Sequence, residues 1–314
     1  MMSNQKKNPW VLVLAAGDGT RVRSLTLDRW GEPAPKQFTR NGGEHTLLGL
    51  TLRRARRIAP AEQIVTIVAA QHERWWESEL CGLPADNIIV QPENRGTAAG
   101  ILLPLTWITH QDPNATVVIL PSDHFVESEE TMNTALEQAL SAVTGSEVPI
   151  VLMGVRPDAP EEEYGWILPC PGPENCPHRV ASFREKPDVC SVASLLQQGA
   201  LLNTFIIVAD SRCLMALFKD RTPQLWGPFN ETLSGWTLGS LPQGNLADLY
   251  HSIPSLDFSK EVLEGAAEKL WVYPVPSCGW TDLGTPQRLK DHLVQHGEHF
   301  PPSGTAVEAT SAPG

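Results

Sequence analysis

Three stretches of this chain place cations, carboxylates and glycines at the ends of apolar runs, as the handling of a phosphorylated substrate requires. The first, Ala15-Ala16-Gly17-Asp18-Gly19-Thr20-Arg21, directly follows an apolar β-branched run. Glycines at the C-terminal end of a strand let backbone N–H groups approach a phosphate without interference from Cβ. In open α/β sheets that end is also where ligands bind. The spacing is neither the dinucleotide pattern G-x-G-x-x-G nor the Walker loop with its Lys-Ser/Thr pair. Standing alone, such a turn is ordinary turn chemistry. Arg21, and Lys36 in Pro35-Lys36-Gln37-Phe38, add two cations at the same mouth that can neutralise a triphosphate.

The second feature is carboxylate chemistry. Asp123 in Leu120-Pro121-Ser122-Asp123-His124 ends a strongly apolar run, where it faces the ligand crevice and can ligate Mg²⁺, a hard cation that takes oxygen donors. An isolated Ser-Asp is equally well explained as a turn or helix cap. Far downstream, Gly279-Trp280-Thr281-Asp282-Leu283-Gly284 puts another Asp after an apolar run, and two such carboxylates are what a metal bridging a nucleotide's phosphates requires. The third feature is Phe183-Arg184-Glu185-Lys186-Pro187. Pro187 ends a strand and leaves Glu185 to accept sugar hydroxyls and Lys186 to hold a phosphate, against the plain alternative of a solvated charged strand end.

Strand and helix signals alternate to position these residues. Strands are expected at residues 11–14, 64–69, 88–90, 116–120 and 149–155, and helices at 47–58, 73–80, 97–109 and 130–144. Further strands are expected at 166–170, 180–183, 201–208 and 270–275, and helices at 211–218 and 287–296, with an exposed proline-rich loop at 169–177. The pattern predicts an α/β fold: a three-layer, Rossmann-like unit with a mostly parallel mixed sheet covered on both faces. Residues 9–297 read as one domain whose second half adds a sugar-binding subdomain, and 298–314 as a disordered tail.

Composition narrows the function classes. The chain has 314 residues and a formal net charge of −12, which argues against general affinity for nucleic acid or an anionic membrane. Residues 11–16, the longest apolar run near the N-terminus, are too short for a signal segment or a membrane span, so a cytoplasmic protein is expected. Six cysteines contain no C-x-x-C pair, and Cys170, Cys176, His178 and Cys190 lack the tight spacing of a metal site.

Taken in order, these pieces resemble the sugar-1-phosphate nucleotidyltransferases, and within them the mannose-1-phosphate guanylyltransferases. The opening L-A-G-G-x-G-T-R is similar to Leu14 to Arg21, with Ala16 for the first paired glycine, and P-K-Q-F is kept at Pro35 to Phe38. Gln91 to Ala98 resembles E-P-x-G-R-N-T-A, Pro121 to His124 matches P-S-D-H, and Tyr164-Gly165-Trp166-Ile167 resembles Y-G-Y-I. Glu185-Lys186-Pro187 is kept, and Gly279 to Gly284 matches G-W-x-D-x-G.

The resemblance implies transfer of a nucleotidyl group from an NTP to a sugar 1-phosphate, with Mg²⁺ held by Asp123 and Asp282. Arg21 and Lys36 would contact the nucleotide phosphates. Ala15, Ala16, Gly17, Gly19, Thr20, Gln91, Arg95, Thr97 and Ser122 would complete the nucleotide site. Lys186 would hold the sugar phosphate, with Gly165, Glu185 and Asn203 around the sugar. Partners would be these small molecules, and a homodimer is compatible with the pattern.

Three departures stand out. Phe205 occupies a position usually held by glycine near the sugar, the 22–35 loop is longer than usual, and Gln91 replaces a usual Glu. A glutamine amide matches guanine, uracil and thymine alike, so it leaves the base open. The alternatives are the same chemistry with a pyrimidine NTP or another sugar, and a catalytically silent nucleotide-sugar-binding paralogue. Phe205 is the main support for the silent reading, whereas the retained Arg21, Lys36, Asp123, Lys186 and Asp282 favour the enzyme.

Overall fold

Short runs of Val, Ile and Leu become buried strands, and the longer periodic segments between them become the helices that cover those strands. The computed structural model describes residues 8–28, 31–40, 44–145, 148–233 and 243–296. The strands are β1 (Trp10–Ala15), β2 (Ile64–Ala69), β3 (Ile88–Gln91), β4 (Thr116–Pro121), β5 (Ile150–Val155), β6 (Gly165–Pro169), β7 (His178–Glu185), β8 (Leu201–Asp210) and β9 (Trp271–Val275). The helices are α1 (Leu47–Ile58), α2 (Glu73–Glu79), α3 (Gly96–Gln111), α4 (Glu129–Thr144), α5 (Val189–Gln197), α6 (Ser211–Arg221), α7 (Pro223–Leu233), α8 (Gln243–Ser252) and α9 (Pro286–Gln295).

One mixed sheet runs in the order β3-β2-β1-β4-β8-β5-β9-β7-β6. Its first half is parallel, β1 pairing with β2 and β4, and β2 with β3. The second half turns largely antiparallel. The long strand β8 runs against both β4 and β5, and β6 and β7 form a hairpin across the proline-rich loop. A connection that short cannot make the crossover a parallel pair needs.

Apolar side chains fill both faces of the sheet. α1, α2 and α4 cover one face, and α3, α6, α7 and α8 the other. α1 shows why a face is chosen. Leu48, Leu52 and Ala55 are buried at helical spacing while Arg53, Arg56 and Arg57 point outward, and Thr46 caps the start by accepting from Gly49 N at 2.9 Å. α3 is apolar all round because the sheet lies on one side and α6 and α7 on the other. Helices α5, α7 and α8 and a one-turn π-helix at Ser259–Leu263 go beyond the elements expected from sequence.

The stretch 298–314 and residues 29–30 of the 22–35 loop lie outside the described residues. All six cysteines are free thiols. His178 spends its ring nitrogens on the carbonyls of Cys170 (3.0 Å) and Pro173 (2.9 Å), so it is not poised as a ligand. Among the described residues, no helix is long and apolar enough to cross a membrane.

Candidate active site

A cleft of about 620 Å³ opens along the C-terminal ends of β1 and β4 and continues over β6, β7 and β8. At one end lies the turn after β1. Gln37, itself buried, donates through Nε2 to the carbonyls of Ala15 (3.1 Å) and Gly17 (2.8 Å), which fixes the shape of the turn from beneath. Gly19 has φ +59°, and a Cβ there would come within 3.1 Å of the Lys36 backbone nitrogen, so a larger residue would be strained. The Asp18 carboxylate accepts from Gln71 Nε2 (3.1 Å) and Asn94 Nδ2 (3.0 Å), tying the turn to the β3–α3 connection. At the mouth, Arg21 Nη1 lies 2.6 Å from Glu163 Oε2. Both side chains are about half exposed, so the pair contributes little and Arg21 can exchange Glu163 for a phosphate.

The centre of the cleft is built around Lys36. This lysine is 4% exposed; its Nζ lies 3.0 Å from Asp123 Oδ2 and donates to the Asp282 carbonyl oxygen. Burial pushes the Asp123 carboxyl upward, but the Lys36 ammonium beside it outweighs burial and holds the group below the usual carboxylate range. Burial lowers the His124 imidazole against the pull of Asp123, so it is neutral at pH 7. Its ring meets Trp280 edge-on at 5.3 Å.

Asp282 is gripped from behind. Its Oδ1 accepts from Tyr164 Oη (2.8 Å) and Gly284 N (2.9 Å) and lies 3.0 Å from Arg288 Nε. Arg288 in turn pairs with Glu161 at 3.1 Å, and its guanidinium carbon sits 4.5 Å from the Tyr164 ring centroid. Burial and the Asp282 charge raise the Tyr164 phenol, which therefore stays a donor.

The donor set suits a hard dication. Asp123 and Asp282 line the same cleft, and Asp282 Oδ2 carries one long contact, to Arg288 Nη2 at 3.4 Å. Mg²⁺ takes one or two protein carboxylates and fills its remaining positions with phosphate oxygens and water, so these oxygens fit it. Among the described residues no group of three or more His, Cys, Asp or Glu gathers as a self-sufficient metal site.

At the far end, β6, β7 and β8 converge. Gly165 pairs with Glu185, and a Cβ on Gly165 would come within 2.7 Å of Glu185 Oε2 and 3.3 Å of Asn203 Cβ, so the glycine leaves the space those side chains share. Glu185 is pushed up to about 7, chiefly by burial and then by Asp257, with Lys186 opposing. Lys186 has φ +48° and donates its backbone N–H to the Tyr164 carbonyl at 3.1 Å, which swings its half-exposed ammonium to 4.0 Å from Glu185 Oε1.

Phe205 also has a positive φ, +61°, with its N–H donated to Asn203 Oδ1 at 3.1 Å. A bulky side chain in that conformation costs about 1–2 kcal/mol, the physical reason a glycine is natural there. The Phe205 ring meets Phe258 at 6.0 Å, a contact that helps offset the strain.

Of the residues singled out from sequence, Ala16, Gly17, Gly19, Arg21, Gln91, Thr97, Ser122, Asp123, Gly165, Glu185, Lys186, Asn203 and Asp282 line this cleft. Four others do not. Ala15 is buried in β1, Thr20 is exposed beside the turn, and Lys36 acts from beneath through Asp123 and the Asp282 carbonyl. Arg95 pairs with Glu93 at 2.9 Å instead of reaching the cleft. Thr97 has a second task, accepting from Phe258 N at 2.7 Å.

Sequence reasoning missed Gln37, Tyr164 and Arg288 as supports, and Ser255, Leu256, Asp257 and Ser259 as part of the lining. Gln37 and Tyr164 stood inside recognised motifs. The 255–259 segment carries no periodic signal and is placed by hydrogen bonds to the start of α3 and by the buried Phe258 ring.

A family model described as nucleotidyl transferase matches residues 10–296, nearly all of the described chain. The chain belongs to the nucleotidyl transferase family. It is 28% identical over 302 residues to the xanthan biosynthesis protein XanB of Xanthomonas campestris pv. campestris (strain B100), covering 95% of this chain and 62% of that protein. It is 24% identical over 293 residues to a mannose-1-phosphate guanylyltransferase of Sinorhizobium fredii (strain NBRC 101917 / NGR234), covering 90% and 56%. The chain thus spans about three fifths of the length of the curated relatives it matches. A crystal structure described as mannose-1-phosphate geranyltransferase from Thermus thermophilus superposes with a TM-score of 0.77 at 26% identity, over 91% of this chain and 79% of that one. The family's fold, a nucleotide-diphospho-sugar transferase sheet with helices on both sides, is that described above.

Proposed function

We propose that this nucleotidyltransferase joins an NTP, GTP by preference, to a sugar 1-phosphate, mannose 1-phosphate by preference, with release of pyrophosphate. The reading is carried by one observation: the β1 turn, the Asp123–Lys36–Asp282 centre and the Gly165–Glu185–Asn203 corner are three successive parts of a single cleft. The turn with Arg21 cradles the triphosphate. Lys186 and the corner hold the sugar phosphate so that its oxygen faces the α-phosphorus. A new P–O bond forms there as the bond to the leaving pyrophosphate breaks, and positioning with charge neutralisation lowers the barrier without a protein nucleophile. Asp123 and Asp282 Oδ2 are the groups that would hold Mg²⁺, whose charge would offset that of the phosphates. The preference for GTP and mannose 1-phosphate rests on the guanylyltransferase-like loops at Arg95–Ala98 and Pro121–His124 and on the names of the relatives.

Pyrophosphate release across GTP, ITP, UTP and dTTP, each with a panel of sugar 1-phosphates, tests this. GTP with mannose 1-phosphate is expected to give the highest kcat/KM. ITP, which lacks only the 2-amino group, is expected to be about tenfold poorer if a buried acceptor reads that group. Preference for UTP or dTTP would shift the base assignment and leave the mechanism standing. Binding of GTP without pyrophosphate release from any pair would favour the silent paralogue.

A further inference from the structure

The segment 255–259 crosses between the two ends of the cleft and is sewn to the start of α3. Leu256 N donates to Arg95 O at 3.2 Å, Ala98 N to Leu256 O at 3.1 Å, and Phe258 N to Thr97 Oγ1 at 2.7 Å. Gly96, at φ +80°, allows this close approach, since a Cβ there would stand 2.3 Å from Leu256 O. The backbone on both sides of Asp257 is therefore pinned, and its carboxylate is presented to the sugar end. Its Oδ1 accepts from Lys260 N at 3.0 Å, and Oδ2 has no hydrogen bond within the described residues.

Opposite stands Glu185, with Asn203 beside it across Gly165. Asn203 is 6% exposed and lines the cleft. Its Oδ1 is used by Phe205 N, but its amide nitrogen donates to nothing within the described residues. That nitrogen opens onto the cleft, where water or a ligand hydroxyl can accept from it.

The charges around this corner are lopsided. Asp257 and Glu264 raise Glu185, while Lys186 and the Ser259 hydroxyl are what opposes them. Arg184, on the neighbouring strand position, is 64% exposed and turns to Glu264 at 4.0 Å. With Lys186 committed to the substrate phosphate, the corner offers the sugar ring the Asp257 carboxylate and, above about pH 7, the Glu185 carboxylate.

We propose that Asp257 is a specificity-determining residue, which with Glu185 forms a paired acceptor selecting sugar 1-phosphates that present hydroxyl or ammonium donors and rejecting those that present a carboxylate. This rests on the sugar-phosphate reading of the cleft given above. Two fixed acceptors reward a ligand that donates to both, and a third carboxylate there meets like charge in a partly desolvated corner. Because Leu256 and Phe258, on either side of Asp257, are bonded to the start of α3, the position of the sugar selector is tied to that helix.

The test compares a hexose 1-phosphate with the matching hexuronic acid 1-phosphate, on the wild-type chain and on Asp257→Asn. Wild type is expected to favour the hexose by about tenfold or more in kcat/KM. Asp257→Asn is expected to raise KM for the hexose 1-phosphate about tenfold, leave KM for GTP unchanged and narrow the discrimination. The inflection in the pH profile of kcat/KM for the hexose 1-phosphate should also move to lower pH, because the charge that raises Glu185 has gone; a merely structural role would not move it. Equal use of the two sugars by wild type, or an unchanged KM and a stationary inflection in the variant, would overturn the proposal. Calorimetric titration of both sugar phosphates in the presence of a non-hydrolysable GTP analogue reads the same preference without turnover. A protein that binds the hexose selectively yet releases no pyrophosphate would keep this inference while removing the catalytic one.

Discussion

Asp123→Asn is expected to lower turnover by on the order of a hundredfold or more and to lower the melting temperature as well. The side chain is 39% exposed to the cleft, and its partners there are Lys36 and His124. Because the Lys36 side chain is only 5% exposed, losing the Asp123 charge also leaves a buried ammonium without its counter-ion. Asp282→Asn should also silence the enzyme, again at a structural cost that sequence alone did not reveal. Asp282 and Arg288 are only 14% and 15% exposed, and removing one charge from such a pair costs about 3 kcal/mol. Both variants should therefore melt at a measurably lower temperature than the parent protein. Pyrophosphate release and thermal melts of the two variants check both statements. Full activity in Asp123→Asn would remove that residue from the reacting centre. EDTA should abolish activity in the parent protein without unfolding it, since no described cluster uses a metal as a fold determinant.

Lys186→Ala is expected to raise KM for the sugar 1-phosphate roughly ten- to a hundredfold and to leave KM for the NTP nearly unchanged. The lysine stands beside Glu185 and away from the β1 turn, so on the proposed reading its charge reaches the sugar phosphate and not the nucleotide. Its left-handed φ of +48° strengthens the argument. A side chain held in an uncommon backbone conformation is aimed, and alanine would keep the backbone while removing what is aimed. Initial-rate kinetics with each substrate varied in turn distinguishes the outcomes. Equal increases in both KM values would assign Lys186 to the general field of the cleft.

The parallel half of the sheet was legible because its strands are unbroken apolar runs bounded by turn residues. The α1 and β2 bounds coincide with those read from periodicity. The antiparallel half was less so, since an apolar run does not state which neighbour it pairs with. β8 shows this, facing β4 at one end and β6 at the other. Helix α5 is short, and α7 carries an internal Pro228, so neither presents a long clean periodicity. The candidate site divides the same way. Residues within contiguous motifs were found, and those that act through a distant contact were not. Arg288 lies in an ordinary amphipathic helix, and only the fold brings it against Asp282 and Tyr164. Asp257 reaches the cleft because Leu256 and Phe258 are hydrogen-bonded to α3, a relation no local pattern encodes.

Trp280 gives the molecule its own optical gauge. Among the described tryptophans it is the one that lines the cleft, with the Tyr164 ring at 5.5 Å and the neutral His124 ring at 5.3 Å. A ligand that draws a proton onto His124 or shields the indole from water changes the emission of that fluorophore, which is excited at wavelengths where Tyr164 does not absorb. Nucleotide and sugar phosphate can therefore be titrated in turn against the unlabelled protein, and the order in which they enter follows from which one alters the signal alone.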